Sequence, residues 1–163
     1  MKRRIWLLLP LASCAPRQEF VGVAESVRIV DLNKGTVTVE KIVKTKAEWR
    51  EALTPTRYWV MREAGTEQPF SGEYDKYEGS GVFRCAACDT ALFSGDHKFI
   101  SSSGWPSFWQ PLAPQNILKR QDGDRTEVLC IRCDGHLGHV FDDGPPPTGL
   151  RYCINSIALK LTK

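Results

Sequence analysis

The chain has 163 residues, 25% of them charged and 42% hydrophobic, which is enough for one domain with a core and short of two independent ones. Its formal charge of +3 comes from Lys2, Arg3 and Arg4; setting these aside leaves 19 basic against 19 acidic residues. A neutral body without a basic run argues against nucleic acid as a ligand, and thirteen glycines and ten prolines favour turns and strands over long helices.

Residues 1–13 form a basic start followed by the apolar run Ile5 to Leu11, too short to span a bilayer and interrupted by Pro10. The box Leu11-Ala12-Ser13-Cys14 resembles a bacterial lipoprotein signal, cut before Cys14 and lipidated on it. Ordinary secretory cleavage and an uncut start are the alternatives. Residues 14–25 read as a tether, and 26–163 as a single domain.

The domain opens with strand-like text from Ser26 to Val43. Val27 and Ile29 alternate, Asp31-Leu32-Asn33-Lys34-Gly35 reads as a turn, and Val37 and Val39 alternate again, so an N-terminal hairpin is expected. Thr45 as N-cap and Glu48 at N3 announce a short helix bounded by Pro55, with Trp49 and Leu53 on one face. Tyr58–Glu63 is an extended candidate, and Ala64–Gly72 an ordered loop. Val82-Phe83-Arg84 delivers the first knuckle, Cys85-Ala86-Ala87-Cys88. The cluster Trp105, Phe108 and Trp109 on a Gly/Pro-bounded loop is either core or pocket wall. Pro111–Asp124 reads as an irregular charged loop. Thr126–Ile131 is a strand leading to the second knuckle, Cys130-Ile131-Arg132-Cys133. After the stiff loop Asp142–Gly149 comes a run holding Cys153, whose later residues Ile157, Leu159 and Leu161 alternate like a strand.

Two Cys-x-x-Cys knuckles complete a tetrahedral four-thiolate shell, and zinc is the default ion because it is redox-inert and fits that geometry. The 41 residues between Cys88 and Cys130 tie distant parts of one fold together. Such a shell has no open position, so the metal is structural. Two redox-active dithiols form the competing reading. His136 and His139 are core histidines, extra metal ligands, or parts of a site shared with Cys153; their place just before the loop leading to Cys153 favours the last. Cys153 has no knuckle partner. Arg151 and Asn155 fall on its face of a strand, giving a polar row unsuited to a core, although a buried inert thiol remains the alternative.

The residues Arg62-Glu63, Gly65-Thr66-Glu67, Pro69–Gly72, both knuckles, Gly104-Trp105-Pro106-Ser107-Phe108, His136–Phe141 and Arg151–Ser156 resemble the B-type methionine sulfoxide reductases, over about residues 49–161. The resemblance implies a mainly β fold, two small antiparallel sheets forming a partly open barrel with short peripheral helices and a four-cysteine zinc distant from the active site. It implies Cys153 as nucleophile and His139 as the group that protonates the sulfoxide oxygen. His136 would line the site and Asn155 would position polar groups. Trp105, Phe108 and Arg151 would contact substrate. The product would be a sulfenic acid on Cys153. Some members carry a resolving cysteine immediately before the Gly-Trp-Pro-Ser-Phe run, where this chain has Ser103; an external thioredoxin-like thiol would then reduce Cys153 directly, with resolution by an unlipidated Cys14 as the alternative. The implied setting is a monomer in the bacterial cell envelope, facing the periplasm on a lipid anchor at Cys14 and acting on oxidised protein. A zinc-stabilised binding module that has lost catalysis is the competing function.

Overall fold

The computed structural model describes residues 25–163; the signal-like segment, Cys14 and the tether up to residue 24 lie outside the described residues. Strands β1 (Ser26–Asp31) and β2 (Gly35–Glu40) form the expected hairpin, in register from Ser26↔Glu40 to Asp31↔Gly35. The Asp31 carboxylate closes its turn by accepting the amides of Asn33 and Lys34 at 2.9 and 3.1 Å. Asn116, fully buried, docks this hairpin on the body. Its amide oxygen accepts the Val30 N–H at 2.7 Å, and its NH2 donates to the carbonyls of Val30 and Ala91 at 2.9 and 2.7 Å. A buried amide satisfied in this way carries no desolvation debt.

Helix α1 (Lys46–Ala52) begins on the expected capping box: Thr45 Oγ1 accepts the Glu48 N–H, and the Glu48 carboxylate accepts the Thr45 N–H at 2.7 Å. Its buried Trp49 lies 4.6 Å beneath the Arg62 guanidinium. The extended reading of Tyr58–Glu63 is corrected by a second helix, α2 (Pro55–Arg62). Thr54 caps it by accepting the Arg57 N–H, and Pro55 occupies the first helical turn, where its missing N–H costs nothing. Pro55 thus both ends one helix and starts the next, and the buried Tyr58 and Met61 share the inward face of the second.

Nine more strands follow: β3 (Val82–Cys85), β4 (Ala91–Ser94), β5 (Lys98–Phe99), β6 (Ser107–Phe108), β7 (Ile117–Asp122), β8 (Arg125–Cys130), β9 (His136–Phe141), β10 (Arg151–Ile154) and β11 (Leu159–Thr162). A six-stranded antiparallel sheet runs in the order β5-β6-β10-β9-β8-β7, and a three-stranded one in the order β11-β3-β4. Neither sheet closes on itself, and the mainly β, open-sheet expectation holds. Between them, Phe93 stacks on Phe108 at 4.5 Å and Phe83 meets Phe108 edge-on at 5.1 Å, all three without solvent exposure. Leu92, Val128, Leu137, Ile154 and Leu159 complete this core. Among the described residues, no helix is long and apolar enough to cross a membrane.

Two further readings change. The run after Cys153 is two strands: a 3-10 turn over Ser156–Ala158 carries the chain from β10 in the large sheet to β11 in the small one. The segment read as an irregular loop contains β7, an edge strand exposed from Leu118 onward. Its charged side chains suit an edge that must not recruit further strands, and they conceal the alternation by which strands are recognised.

Candidate active site and metal centre

Register across the large sheet assembles the site. Arg120 of β7 pairs with Glu127 of β8, Glu127 with His139 of β9, His139 with Cys153 of β10, and Cys153 with Ser107 of β6. Directly paired residues project to the same side of a sheet, so these five side chains form one transverse polar rung. The adjoining rung on that face contains Asp122 opposite Arg125, and Phe141 opposite Arg151. Arg151 and Cys153 therefore share a face, as the alternation predicted. Asn155 lies beyond the end of the strand.

His136 and His139 are three residues apart on one strand, a spacing that sends side chains to opposite faces of a regular ladder. A bulge resolves this. Gly138 pairs with Val128 but His136 pairs with Leu129, leaving Leu137 as the extra residue, fully buried in the core. Both histidines thus come to the Glu127 side, with ring centroids 5.4 Å apart. Gly138 permits the arrangement: at φ +157° and against β10, a Cβ there would lie 2.0 Å from the Cys153 carbonyl oxygen.

Cys153 opens into a cleft of about 120 Å³ lined by Thr66, Trp105, Arg125, Gly138, His139, Phe141, Cys153 and Asn155. The wall is pinned by main-chain contacts. Trp105 Nε1 donates to the Glu67 carbonyl at 3.1 Å, and Asn155 Oδ1 accepts the Glu67 N–H at 2.9 Å while its NH2 donates to the Leu137 carbonyl at 3.0 Å. The Glu67 carboxylate in turn accepts the N–H groups of Ser156 and Ile157 at 2.6 and 3.0 Å. Burial pushes the Glu67 carboxyl up, against these backbone donors.

Burial also pushes the Cys153 thiol up, opposed by the Ser103 hydroxyl, 3.7 Å from Sγ, and by the Arg151 guanidinium. Arg151 itself is held by both oxygens of Asp143 at 2.8 Å. The histidines are held by carboxylates. Glu127 Oε1 lies 2.7 Å from His136 Nδ1, and Asp122 Oδ2 lies 2.9 Å from His139 Nε2. Burial lowers the His136 pKa, with Glu127 opposing. Hydrogen bonding from His139 holds the Asp122 carboxyl below its ordinary value.

Of the residues singled out in the sequence, Cys153, Trp105, His139 and Asn155 border the cleft. His136 lies behind His139, in an adjoining pocket with Glu127, Arg120 and Asp122. Phe108 is the correction: expected to contact substrate, it has no solvent exposure and packs between Phe83 and Phe93. Alternation on β6 turns it inward as Ser107 turns toward the rung. Arg120, Asp122 and Glu127 were not foreseen. Their signal was an Asp122-Gly123-Asp124 turn between two charged runs, a hairpin mark within text read as loop.

The four knuckle cysteines converge, with their sulfur atoms all within 4.8 Å of one another. Two contacts run between knuckles, Cys85 to Cys133 at 3.7 Å and Cys88 to Cys130 at 3.4 Å. Four thiolates about 2.3 Å from a tetrahedral zinc ion stand about 3.8 Å apart, so the cluster fits structural zinc and not two independent dithiols. Cys85 ends β3 in the small sheet and Cys130 ends β8 in the large one. The metal therefore staples the two sheets together. None of its ligands lines the cleft.

A SelR domain profile matches residues 53–163, more than half of the chain. The chain belongs to the SelR family. It is 52% identical over 132 residues to "Peptide methionine sulfoxide reductase MsrB" of Bradyrhizobium diazoefficiens, covering 78% of this chain and 95% of that protein. A protein of the same description from Pseudomonas syringae pv. syringae is 52% identical over 127 residues, covering 76% and 97%. The one from Thiobacillus denitrificans is 55% identical over 120 residues, covering 71% and 91%. The SelR match begins after the β1–β2 hairpin and α1, leaving most of the metal-stapled core and the whole histidine rung inside it.

Proposed function

We propose that this SelR-family chain is a peptide-methionine (R)-S-oxide reductase in which Cys153 is the nucleophile. The observation that carries the reading is one rung of the sheet: a thiol directly opposite His139, at the mouth of a small cleft walled by Trp105. Trp105 receives the methyl group of the sulfoxide against its indole face. His139 meets the oxygen, Arg151 favours the thiolate, and Asn155 holds the loop that closes the cleft. Zinc, bound by Cys85, Cys88, Cys130 and Cys133, supplies cross-sheet stability.

The reaction follows from charge balance. The Cys153 thiolate attacks the electrophilic sulfoxide sulfur, and the electron pair of the breaking sulfur–oxygen bond moves to oxygen. Oxygen does not leave as bare oxide, so it takes a proton from His139. That attack joins Cys153 Sγ to the substrate sulfur and releases hydroxide. Hydroxide then attacks Cys153 Sγ, the sulfur–sulfur bond breaks, methionine departs with its electron pair and Cys153 is left as a sulfenic acid. An external thiol then displaces water from that sulfur, giving a mixed disulfide, and a second thiol of the same donor releases Cys153. A thioredoxin-like dithiol provides both.

Ser103 explains the choice of an external donor. Its hydroxyl stands 3.7 Å from Cys153 Sγ, in a chain with Ser101 and Ser107 at 2.8 and 2.7 Å, and forms no disulfide. Ser103→Cys places a thiol at that spot. After one turnover with excess sulfoxide and no reductant, the variant should lose the mass of two hydrogen atoms through a disulfide to Cys153, whereas wild type should carry a dimedone-reactive sulfenic acid. An unlinked variant after turnover would mean that the side chain at position 103 points away from the reacting sulfur.

The lipoprotein-like start supports attachment through Cys14 to the cell envelope, facing the periplasm, with residues 14–25 as the tether and 26–163 as a monomeric catalytic domain acting on oxidised proteins. The deciding assay for function is turnover of peptides carrying R- or S-methionine sulfoxide with dithiothreitol. R-only turnover is expected; absence of turnover by metal-replete protein would return the chain to a zinc-stabilised binding module.

A further inference from the structure

Asp122 and Glu127 treat the two histidines differently. Each carboxylate is flanked by an arginine paired with it across the β7–β8 hairpin, Arg125 with Asp122 and Arg120 with Glu127, but in opposite orientation on the two strands. The Asp122 side chain is 46% exposed, so it releases His139 to a ligand at little cost. The Glu127 side chain is 6% exposed and fully engaged. Its Oε2 receives Arg120 Nε and Nη2 at 3.0 and 2.7 Å, and its Oε1 receives His136 Nδ1. Among the described residues, the other His136 ring nitrogen, Nε2, is buried and has no hydrogen-bond partner. His136 lines a pocket together with His139, and the two rings meet edge-on. A buried carboxylate beside the core run Val128–Cys130, holding one end of a ring whose other end is unpaired, is costly for stability alone and typical of a site kept ready for use.

We propose that Glu127, clamped by Arg120, is a positioning residue for proton delivery: it commits His136 Nδ1 to its own carboxylate and leaves Nε2, in the pocket shared with His139, as the ring position that takes up and gives a proton. On the reading of function above, His139 gives its proton to the sulfoxide oxygen as the thiolate attacks. His136 then takes up a proton from solvent at Nε2, through the pocket open past Arg120 and Asp122, with the Glu127 carboxylate stabilising the doubly protonated ring, and passes it to His139. The charged and titratable groups about His136 are Glu127 and Arg125 on β8, Arg120 and Asp122 on β7, and His139 on its own strand. Helix α2, packed against β9, directs Arg62 away, to the Cys133 carbonyl. Among the described residues, Glu127 is thus the buried anion at His136, and it opposes the burial that disfavours the protonated ring.

The test uses the full-length, zinc-loaded chain with Glu127→Gln, which keeps an acceptor for Nδ1 and removes the charge. Peptide kcat should fall ten- to a hundred-fold with KM within two-fold. The limb of the kcat profile on which activity is lost as pH rises should move to lower pH by at least one unit. Nitrogen-15 spectra of the resting protein should show the His136 midpoint lowered in the same direction, and Glu127→Asp should recover part of kcat. Zinc content and Tm equal to wild type show that the fold is intact. A Gln variant with an unchanged profile, or with reduced kcat but an unmoved His136 midpoint, overturns the proposal while leaving the enzyme reading in place. A wild type inactive on both epimers overturns both.

Discussion

Cys153→Ser should abolish turnover of the R-sulfoxide, lowering kcat/KM by about a thousand-fold or more, while Tm should stay within about 2 °C of wild type. The kinetic effect is large because attack at a sulfoxide sulfur needs a soft, ionised nucleophile, and a serine hydroxyl is neither at neutral pH. The thermal effect is small because Cys153 is only partly buried and serine is nearly its isostere, with Ser103 beside it to accept or donate a hydrogen bond. Wild type adds a signature that the variant lacks. Since burial pushes the thiol up, the thiolate is the minor form at neutral pH, and kcat/KM should rise about ten-fold per pH unit until the thiol ionises. Arg151 and Ser103 work in the opposite sense, and they keep that limb from lying still further toward alkaline pH. Stopped assays from pH 6 to 10 on both proteins decide the matter. A serine variant retaining a tenth of the activity would place the chemistry on another residue.

Removing the metal has the second large effect, and it falls on stability. Cys85, Cys130 and Cys133 are buried, and they join the last residue of β3 to the turn after β8, bridging two sheets that the chain also joins at the Ser156–Ala158 crossover. The β1–β2 hairpin leans on the same knuckle. Ile42 donates its N–H to the Arg132 carbonyl at 2.7 Å, and the Lys41 ammonium pairs with Asp134 at 2.9 Å. Zinc loss therefore loosens both the inter-sheet staple and the seat of the hairpin. With metal binding contributing at least about 5 kcal/mol to folding, the chelated protein should lose about 10 °C or more in Tm. Differential scanning calorimetry before and after chelation, with zinc released quantified at one per chain, measures this directly. An apo form melting within 3 °C of the holo form would mean that the core holds the sheets without the staple.

The effects separate in space. The thiol, both histidines and their carboxylates lie along β7 to β10, whereas the metal ligands sit at strand ends and in the turns that follow them. A Cys153 substitution should thus leave zinc in place, and metal loss should weaken catalysis by loosening the sheet that sets the rung.

What the sequence by itself determined was local. The capping box at Thr45 and Glu48, the first hairpin, the strand-borne knuckles and the unpaired Cys153 rely on neighbours within a few residues, and all were legible. The four-cysteine metal site was legible too, because its ligand spacing carries the chemistry irrespective of fold. Tertiary structure decided the rest. The strand β7 hides its period because an edge strand exposes both of its faces to water. The change of sheet at Ser156–Ala158 is invisible because alternation continues through it. Phe108 and Trp105 look alike in sequence, and only the pairing of β6 with β10 sends one into the core and leaves the other on the cleft. The meeting of His136, His139 and Glu127 on one face depends on a bulge at Leu137, an extra residue opposite β8 that no period of two contains. Register between strands is a long-range property. It brings Arg120, Glu127, His139, Cys153 and Ser107 into line, and with them the chemistry.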